Sequence, residues 1–268
     1  MEFTLGAAAL LVGMGVAAGV AAGFVGIGGG IVMVPLLLEV FRSFGLGDAV
    51  VVQSAMGTSL TVATFSVASS AYRHHRQRNV VWHLVPWIAP TSMLGARLAA
   101  WAAGHLEGTW LQVGLALVLL WGALRMLRDP ERPDRPMRSA SWYVWALVGF
   151  GVGLFAGFSG LAGGNVLVPA LVFFAHVPTR KLAGTSSAVV MFTSAAGAAG
   201  YMLGDPPLAL PDAFVGYVHL PAAACLGLTA IPAAQFGAWL NRRVGSRVYK
   251  RVFGVILLLV VVRLLLTA

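Results

Sequence analysis

The sequence has few charged residues, and those it has are unevenly spread. Lys, Arg, Asp and Glu together make up 10% of its 268 residues, whereas 59% of the residues are hydrophobic. A soluble domain of this length has closer to about a quarter of its residues charged. The segment Val144–Val172 carries no charge, and Val252–Leu266 carries none until Arg263. These runs exclude an ordinary soluble domain and predict membrane-spanning helices.

Cysteine and acidic residues within apolar segments are also scarce. The single cysteine, Cys225, excludes a disulfide framework and a cysteine metal site. Acidic residues fall in the loops and at segment ends, and the histidines are scattered. An intramembrane enzyme would need paired carboxylates, a Ser/His arrangement or metal ligands inside these segments. We therefore expect no enzyme, no cofactor and no metal site.

The charge that is present is mostly positive and lies in loops. The net charge of +9 indicates basic cytoplasmic loops rather than a nucleic-acid partner, because Lys and Arg concentrate on that side of a membrane. No basic region precedes the first apolar run. We therefore expect a mature first helix rather than a cleaved signal peptide.

One glycine-rich stretch occurs twice at a constant offset. Residues 23–35 read GFVGIGGGIVMVP, and residues 157–169 read GFSGLAGGNVLVP. Clustered glycines let the backbone leave a helix and let another group approach its N–H dipoles. In a membrane, such backbone persists only where protein buries it or where it lines a cavity. Paired interruptions at matching positions of two halves point to the binding site of a transporter.

The apolar runs divide into two matching sets. We expect a first transmembrane repeat at 1–127, a cytoplasmic linker at 128–141 and a second transmembrane repeat at 142–268. The linker is rich in proline and charge, which prevents it from continuing a helix. The expected segments are 4–22, 31–41, 49–72, 82–103 and 110–126 in the first repeat, and 142–158, 166–176, 182–203, 211–239 and 249–266 in the second.

Loop charge favours one topology for these segments. Four loops are basic: 73–78, 125–138, 180–181 and 242–251. If each Gly-broken segment is a hairpin with both ends on one side, all four of these loops fall inside. An 11-residue arm such as 31–41 covers only about 16 Å, roughly half a bilayer. We therefore expect an all-α polytopic membrane protein of two inverted repeats, each with a Gly-broken helical hairpin plus three transmembrane helices, about 8–10 membrane segments in all. A parallel four-plus-four arrangement is the alternative.

Inverted repeats would bring both Gly loops to the midplane, with the N-termini of the short arms facing one cavity. Such N-termini suit a small oxyanion. Hydroxyls of the paired Gly-Thr-Ser motifs could donate to it, or could bond back to the preceding turn. An arginine in lipid indicates function, although it can also snorkel to the headgroups. The candidate substrate-binding residues are Gly26, Gly28, Gly29, Gly30, Gln53, Thr58, Ser59, Arg97, Gly160, Gly163, Gly164, Asn165, Thr185 and Ser186.

These loops, the motifs Gly57-Thr58-Ser59 and Gly184-Thr185-Ser186 and the two-half layout resemble the sulfite exporter TauE/SafE family of bacterial membrane proteins. The resemblance covers nearly the whole chain. It implies transport of sulfite or a small organosulfonate such as sulfoacetate across the inner membrane, with the loop glycines at the substrate. Ala162 stands where symmetry with the first loop expects glycine, and Asn165 stands in place of Ile31. We therefore expect one loop to donate more specifically than the other.

The expected function is a secondary transporter of a small anion in the lipid bilayer, with the anion held between two Gly-rich broken-helix tips. H⁺ is favoured over Na⁺ as a driving ion, with His83 and His219 as candidate carriers. Inward-negative potential favours anion export. Self-association into a homo-oligomer is left open. An anion channel with the same cavity is the alternative, although no ring of like charges favours it.

Overall fold

A computed structural model describes most of the chain, and its long elements are helices. It describes residues 5–26, 28–43, 45–103, 141–207 and 213–244, with Leu120, Leu124, Leu210 and isolated positions between 248 and 262. The expected segments 110–126 and 249–266 otherwise lie outside the described residues. The elements are α1 (Leu5–Val25), α2 (Gly30–Ser43), α3 (Asp48–Arg76), a 3₁₀ turn (Trp82–Leu84), α4 (Val85–Ala103), α5 (Trp142–Ser159), α6 (Gly164–Ala175), α7 (Thr179–Met202), β1 (Phe214–Val215), β2 (Val218–His219) and α8 (Leu220–Asn241).

Four helices in the described part of the chain are long and apolar enough to cross a membrane. Shorter apolar helices occur at Leu11–Val25, within α1, and at Gly164–Ala175. The chain is therefore a helical, multi-pass membrane protein, as the composition predicted. The four candidate spans are Val50–Arg76 in α3, Trp142–Ser159, Thr179–Met202 and Leu220–Asn241.

The segment before α8 differs from the prediction. The sequence predicted one helix over residues 211–239, whereas α8 begins at Leu220 and an antiparallel β1–β2 hairpin precedes it. Gly216 turns the hairpin with φ of 56°, a left-handed value that favours glycine. Pro221 lies in the first turn of α8, where its missing N–H breaks no helical hydrogen bond. These two residues explain the later start of the helix.

Helices α3 and α7 form the centre of the bundle. In the most apolar 18-residue stretch of each helix, 78% of α3 and 72% of α7 is buried inside the protein, against 39% of α5 and of α8. The two central helices run antiparallel. Gly57 near the start of α3 packs against Tyr201 near the end of α7, and His74 near the end of α3 packs against Gly184. The less buried helices lie around this central pair.

The first helix of each half packs along a helix of the opposite half, α1 along α8 and α5 along α4. Both pairs run parallel, since their contacts advance in the same order along the two helices. At each contact a Cβ on the glycine would overlap backbone of the partner helix. Lipid supplies no hydrophobic force between helices, so association depends on such close approach. The glycines on these faces are Gly15, Gly19 and Gly23 in α1 and Gly149, Gly153 and Gly157 in α5.

Polar contacts fix the direction of two further helix pairs. At the start of α8, the His219 N–H donates to Thr58 Oγ1 over 3.0 Å. Farther along both helices, Ser69 Oγ donates to the Ile231 carbonyl over 3.2 Å. Helices α3 and α8 therefore run parallel. Ser92 of α4 bonds Thr193 of α7, and Ala100 farther along α4 packs against Gly200 farther along α7, so that pair is parallel too.

Gly153 tests this close packing, and Gly151 on the same helix is its matched control. A Cβ on Gly153 would overlap the Ser92 carbonyl, whereas one on Gly151 would meet nothing within 4 Å. We expect Gly153→Ala to lower the melting temperature of the detergent-solubilised protein by roughly 2–8 °C. Gly151→Ala should leave it unchanged or raise it slightly, since alanine favours the helix. Equal melting temperatures in the two variants would contradict the close contact.

Candidate functional site

The two Gly loops share left-handed backbone angles at matching positions. The first connects α1 to α2, and the second connects α5 to α6. Three matching positions in each loop have a left-handed φ, which residues with a Cβ rarely adopt. Ala162 adopts it despite its Cβ. The positions are Gly26 (80°), Gly28 (84°) and Gly29 (74°) in the first loop, and Gly160 (67°), Ala162 (63°) and Gly163 (84°) in the second.

The two loops lie against each other inside the protein. A Cβ on Gly28 would overlap the Cβ of Ala162, and one on Gly30 would lie 2.6 Å from the Gly160 carbonyl oxygen. These four residues are buried. The structure thus brings the two sets of predicted loop glycines together, and no side chain fits between Gly28 and Ala162. Their role in binding a substrate stays a prediction.

Each loop is bound by a serine from the opposite half. Ser59 Oγ donates to the Gly160 carbonyl over 3.0 Å, and Ser186 Oγ donates to the Gly26 carbonyl over 2.8 Å. All four residues are buried. A helix that ends inside the protein leaves carbonyls without partners, and these hydroxyls supply them. The two serines expected to donate to a substrate are therefore engaged with the loop backbone in this structure.

The threonines of the same motifs accept hydrogen bonds. Thr58 Oγ1 accepts from the His219 N–H, and Thr185 Oγ1 accepts from the Val81 N–H, each over 3.0 Å. The first bond joins α3 to the residue that caps α8, and the second joins α7 to the residue just before the 3₁₀ turn that leads into α4. Each hydroxyl keeps its own hydrogen, because it can donate one bond while it accepts others. The Gly-Thr-Ser motifs therefore connect the two halves.

Three side chains that the sequence analysis did not single out bind the last carbonyls of α1 and α5. All three are donors from other helices. Because a carbonyl oxygen can only accept, the ring nitrogen of His74 that faces it carries the hydrogen, as Nε2–H. A helix that ends inside a membrane needs such donors. From this requirement alone, polar side chains near the two breaks could have been predicted. The pairs are His74 Nε2 with Gly23 O (3.1 Å), Asn241 Nδ2 with Phe24 O (2.7 Å) and Tyr201 Oη with Gly157 O (2.7 Å).

Asn165 is a buried amide in the first turn of α6, next to the second loop. Its side chain is 2% exposed, and neither Oδ1 nor Nδ2 has a hydrogen-bond partner in the described chain. Leaving such a group unpaired costs on the order of 1–3 kcal/mol. Ile31 stands at the matching position of the first half and has no polar group to pair. Asn165 therefore offers an unused donor and acceptor at a cost in stability.

Arg97 and Gln53 lie in other surroundings. Arg97 is exposed and lines a cavity of about 600 Å³ together with Asp205 and Tyr217, and none of the Gly-loop residues lines that cavity. Gln53 Nε2 donates to the Ala103 carbonyl at the end of α4 over 3.3 Å. The structure does not group these two predicted residues with the loops.

The two histidines proposed as proton carriers differ in environment. His83 is exposed. His219 is buried, and its Nδ1 accepts from the Ala222 N–H over 3.2 Å, which caps α8. Burial lowers the pKa of His219 from its usual value, so the cap is neutral near pH 7. Among the residues that the structure describes, no group of three histidine, cysteine or acidic side chains could hold a metal ion.

The chain is similar, along nearly its whole length, to proteins named as probable membrane transporters. The sequence model described as sulfite exporter TauE/SafE matches residues 11–264. A probable membrane transporter protein of Haemophilus influenzae is 26% identical over 256 residues, which cover 94% of this chain and 96% of that protein. Another from Methanocaldococcus jannaschii is 25% identical and covers 89% and 88%, and YunE of Bacillus subtilis is 26% identical and covers 94% of each. No solved structure matches the chain.

The loop contact predicts that Gly28 and Ala162 can exchange identities. Gly28→Ala alone would place two Cβ atoms in one space at a φ of 84°, so we expect a melting temperature lower by roughly 5–10 °C. Adding Ala162→Gly removes the overlap, and the double variant should regain most of the loss. Melting curves of the single and double variants form a double-mutant cycle. Purely additive effects would rule out the contact.

The environment of His219 predicts that the folded protein is less stable in acid. Its pKa is lower in the folded protein than in the unfolded chain, so the unfolded chain binds the proton more readily. The stability from the neutral cap is therefore complete above about pH 6.5 and decreases as the pH falls below it. His219→Asn keeps a capping acceptor that does not titrate. Between about pH 7.5 and about pH 5.5, we expect the melting temperature of the native protein to fall further than that of the variant. Equal falls in the two proteins would contradict this role.

Proposed function

The chain belongs to the sulfite exporter TauE/SafE family, and on that premise we propose that it is a secondary transporter of a small anion. The proposed substrate is sulfite or an organosulfonate such as sulfoacetate, moved across the bacterial inner membrane. The names of its relatives, probable membrane transporter proteins, support transport as the activity. The paired loops inside a helical membrane protein support a binding site between two halves.

We propose that residues 1–127 and 142–268 are inverted repeats. The support is the direction of the helices: α3 and α7 hold equivalent places in the two halves and run antiparallel. Helix α1 runs parallel to α8, and α8 runs parallel to α3. These directions support a return of the chain to its starting face between α1 and α3, with α1, its Gly loop and α2 as a hairpin. The same reasoning applies to α5, α6 and α7.

Charge agrees with this topology. The end of α3, the start of α7 and the end of α8 all lie at one face of the proposed arrangement, and each carries arginine, namely Arg73, Arg180 and Arg242. The opposite face carries Asp205 just beyond α7, with Arg97 in the same cavity, so the excess of arginine lies at the first face. By the positive-inside rule, the basic face is cytoplasmic. A parallel arrangement would instead divide these arginines between the two faces.

We propose that the substrate binds between the two Gly loops. The observation that carries this is the pair of left-handed loops, tied together crosswise by Ser59 and Ser186, with unpaired Asn165 beside them. Helices α2 and α6 begin at these loops, and a helix N-terminus offers unsatisfied N–H groups with about half a positive charge. The serine hydroxyls could exchange their carbonyl partners for anion oxygens when the loops separate.

The loops touch in this structure, so binding requires them to part. Helices α1 and α8 are tightly paired, as are α4 and α5, and each pair combines the two halves. We therefore propose that these pairs, rather than the two halves, move as units against α3 and α7. Closed contact between the loops favours a carrier over an anion channel, the alternative, because conduction needs a continuous open path.

Flux measured in proteoliposomes tests the proposed function. We expect saturable uptake of radiolabelled sulfite or sulfoacetate that is accelerated by the unlabelled anion on the opposite side. Unsaturable flux without such exchange would support the channel instead. No flux of either anion would remove the proposed substrate class and leave the family membership standing.

Asn165→Ile gives the second loop the residue of the first. We expect flux to fall by at least about tenfold, because the substrate loses a polar partner. The melting temperature should stay equal or rise, since the change removes an unpaired buried amide. Asn241→Leu is the matched control for stability: its amide donates to the Phe24 carbonyl, so its loss should lower the melting temperature. Native flux in a stable Asn165→Ile protein would exclude the proposed role.

A further inference from the structure

A groove lies between the C-terminal ends of α3 and α8, and its lining includes no residue of the Gly loops. Its main cavity has a volume of about 410 Å³. A second depression of about 240 Å³ shares Arg73 and Gln235 with it and adds Phe236 and Trp239. We call the two together the inner groove. The main cavity is lined by Tyr72, Arg73, Arg76, Gln77, Gln235 and Arg242.

The inner groove is basic. Three arginines line it, and none of its lining residues in the part of the chain that the structure describes is acidic. Helix α8 contains no acidic residue, and Asp48, the one acid of α3, lies at the opposite end of that helix. The C-termini of the two helices contribute about one unit of negative charge in total. A positive surplus of about two charges therefore remains for a ligand.

Exposed apolar side chains lead from the inner groove toward the middle of the membrane. On α8, Leu228, Gln235 and Arg242 are spaced by seven residues and share a face, and Leu228 is 76% exposed. On α3, Phe65 and Tyr72 have the same spacing and are 59% and 58% exposed. The surface thus has a basic end and an apolar wall deeper in the bilayer, the outline of a phospholipid.

Aromatic residues place the inner groove at the depth of the headgroups. Trp239 stacks on Phe236 with ring centroids 5.4 Å apart, and the Arg243 guanidinium lies 4.1 Å from the centroid of the Trp239 ring. Tryptophan prefers the membrane interface, and a cation over its face holds it there. The arginines of the groove are therefore level with lipid phosphates.

We propose that the inner groove binds one anionic phospholipid of the cytoplasmic leaflet. Its phosphate lies among Arg73, Arg76 and Arg242, and its acyl chains follow Phe65 and Leu228. Guanidinium groups pair with phosphate through two parallel hydrogen bonds, which favours arginine over lysine at such a site. A free phosphate would satisfy the arginines but leave the apolar wall uncovered. The site is independent of which anion, if any, the protein transports.

Native mass spectrometry of the purified protein, titrated with phosphatidylglycerol or phosphatidylcholine, tests this site. We expect phosphatidylglycerol to bind at least about tenfold more tightly, and Arg73→Gln/Arg76→Gln/Arg242→Gln to abolish the difference. Arg180→Gln/Lys181→Gln is the matched control, since it removes two cations at the start of α7 and should keep the preference. Equal binding of the two lipids, or equal losses in both variants, would overturn the proposal.

Two further measurements keep the test decisive. Inorganic phosphate that displaces phosphatidylglycerol at equal concentration would overturn the lipid as occupant in favour of a free anion. Arg76→Gln and Arg242→Gln, at two exposed positions, address poor folding of the triple variant. Each should weaken phosphatidylglycerol binding about fivefold with an unchanged melting temperature in phosphatidylcholine. Unchanged lipid preference in both single variants would also overturn the site.

Discussion

The structure depends on one requirement: backbone groups released by a break in a membrane helix must find partners inside the protein. Lipid offers no hydrogen bonds, and each unpaired group in hydrocarbon costs several kcal/mol. The breaks after α1 and α5 therefore determine what surrounds them. Serine, histidine, tyrosine and asparagine side chains from other helices donate to the carbonyls that the breaks leave without helical partners. Because most of these donors come from the opposite half of the chain, satisfying the breaks also joins the halves.

These bonds are also weak enough to be exchanged. A buried hydrogen bond contributes roughly 0.5–1.5 kcal/mol net, and far less than its full strength is lost if another acceptor takes its place. An anion that enters between the loops can supply acceptors for the hydroxyls of Ser59 and Ser186. The glycine faces of α1 and α5 behave differently, because their contacts are backbone on backbone and have no substitute. The protein thus combines rigid packing between helices with a contact between the two Gly loops that can open.

The sequence predicted the helix breaks well because the signal for them is local. Glycines in an apolar run placed the start of α2 within one residue of Gly30 and that of α6 within two of Gly164. It did not predict the side chains that bind the last carbonyls of α1 and α5. His74 and Tyr201 are far along the chain from those carbonyls, and no local pattern indicates that they bind them. The four-residue spacing of glycines in α1 and α5 is visible in the sequence, but the helix that each face meets is not. The late start of α8 was missed because Gly216 was included in an apolar run.

The pairing of α1 with α8 has a consequence for synthesis of the protein. Helix α1 leaves the ribosome well before α8, the helix that fits its glycine face, because about 200 residues of the chain separate them. At about 5–20 residues per second, roughly 10–40 s separate the two. During that interval the glycine face of α1 lacks its partner helix, and the Phe24 carbonyl lacks Asn241. The first Gly loop therefore reaches its final form only after α8 has been made.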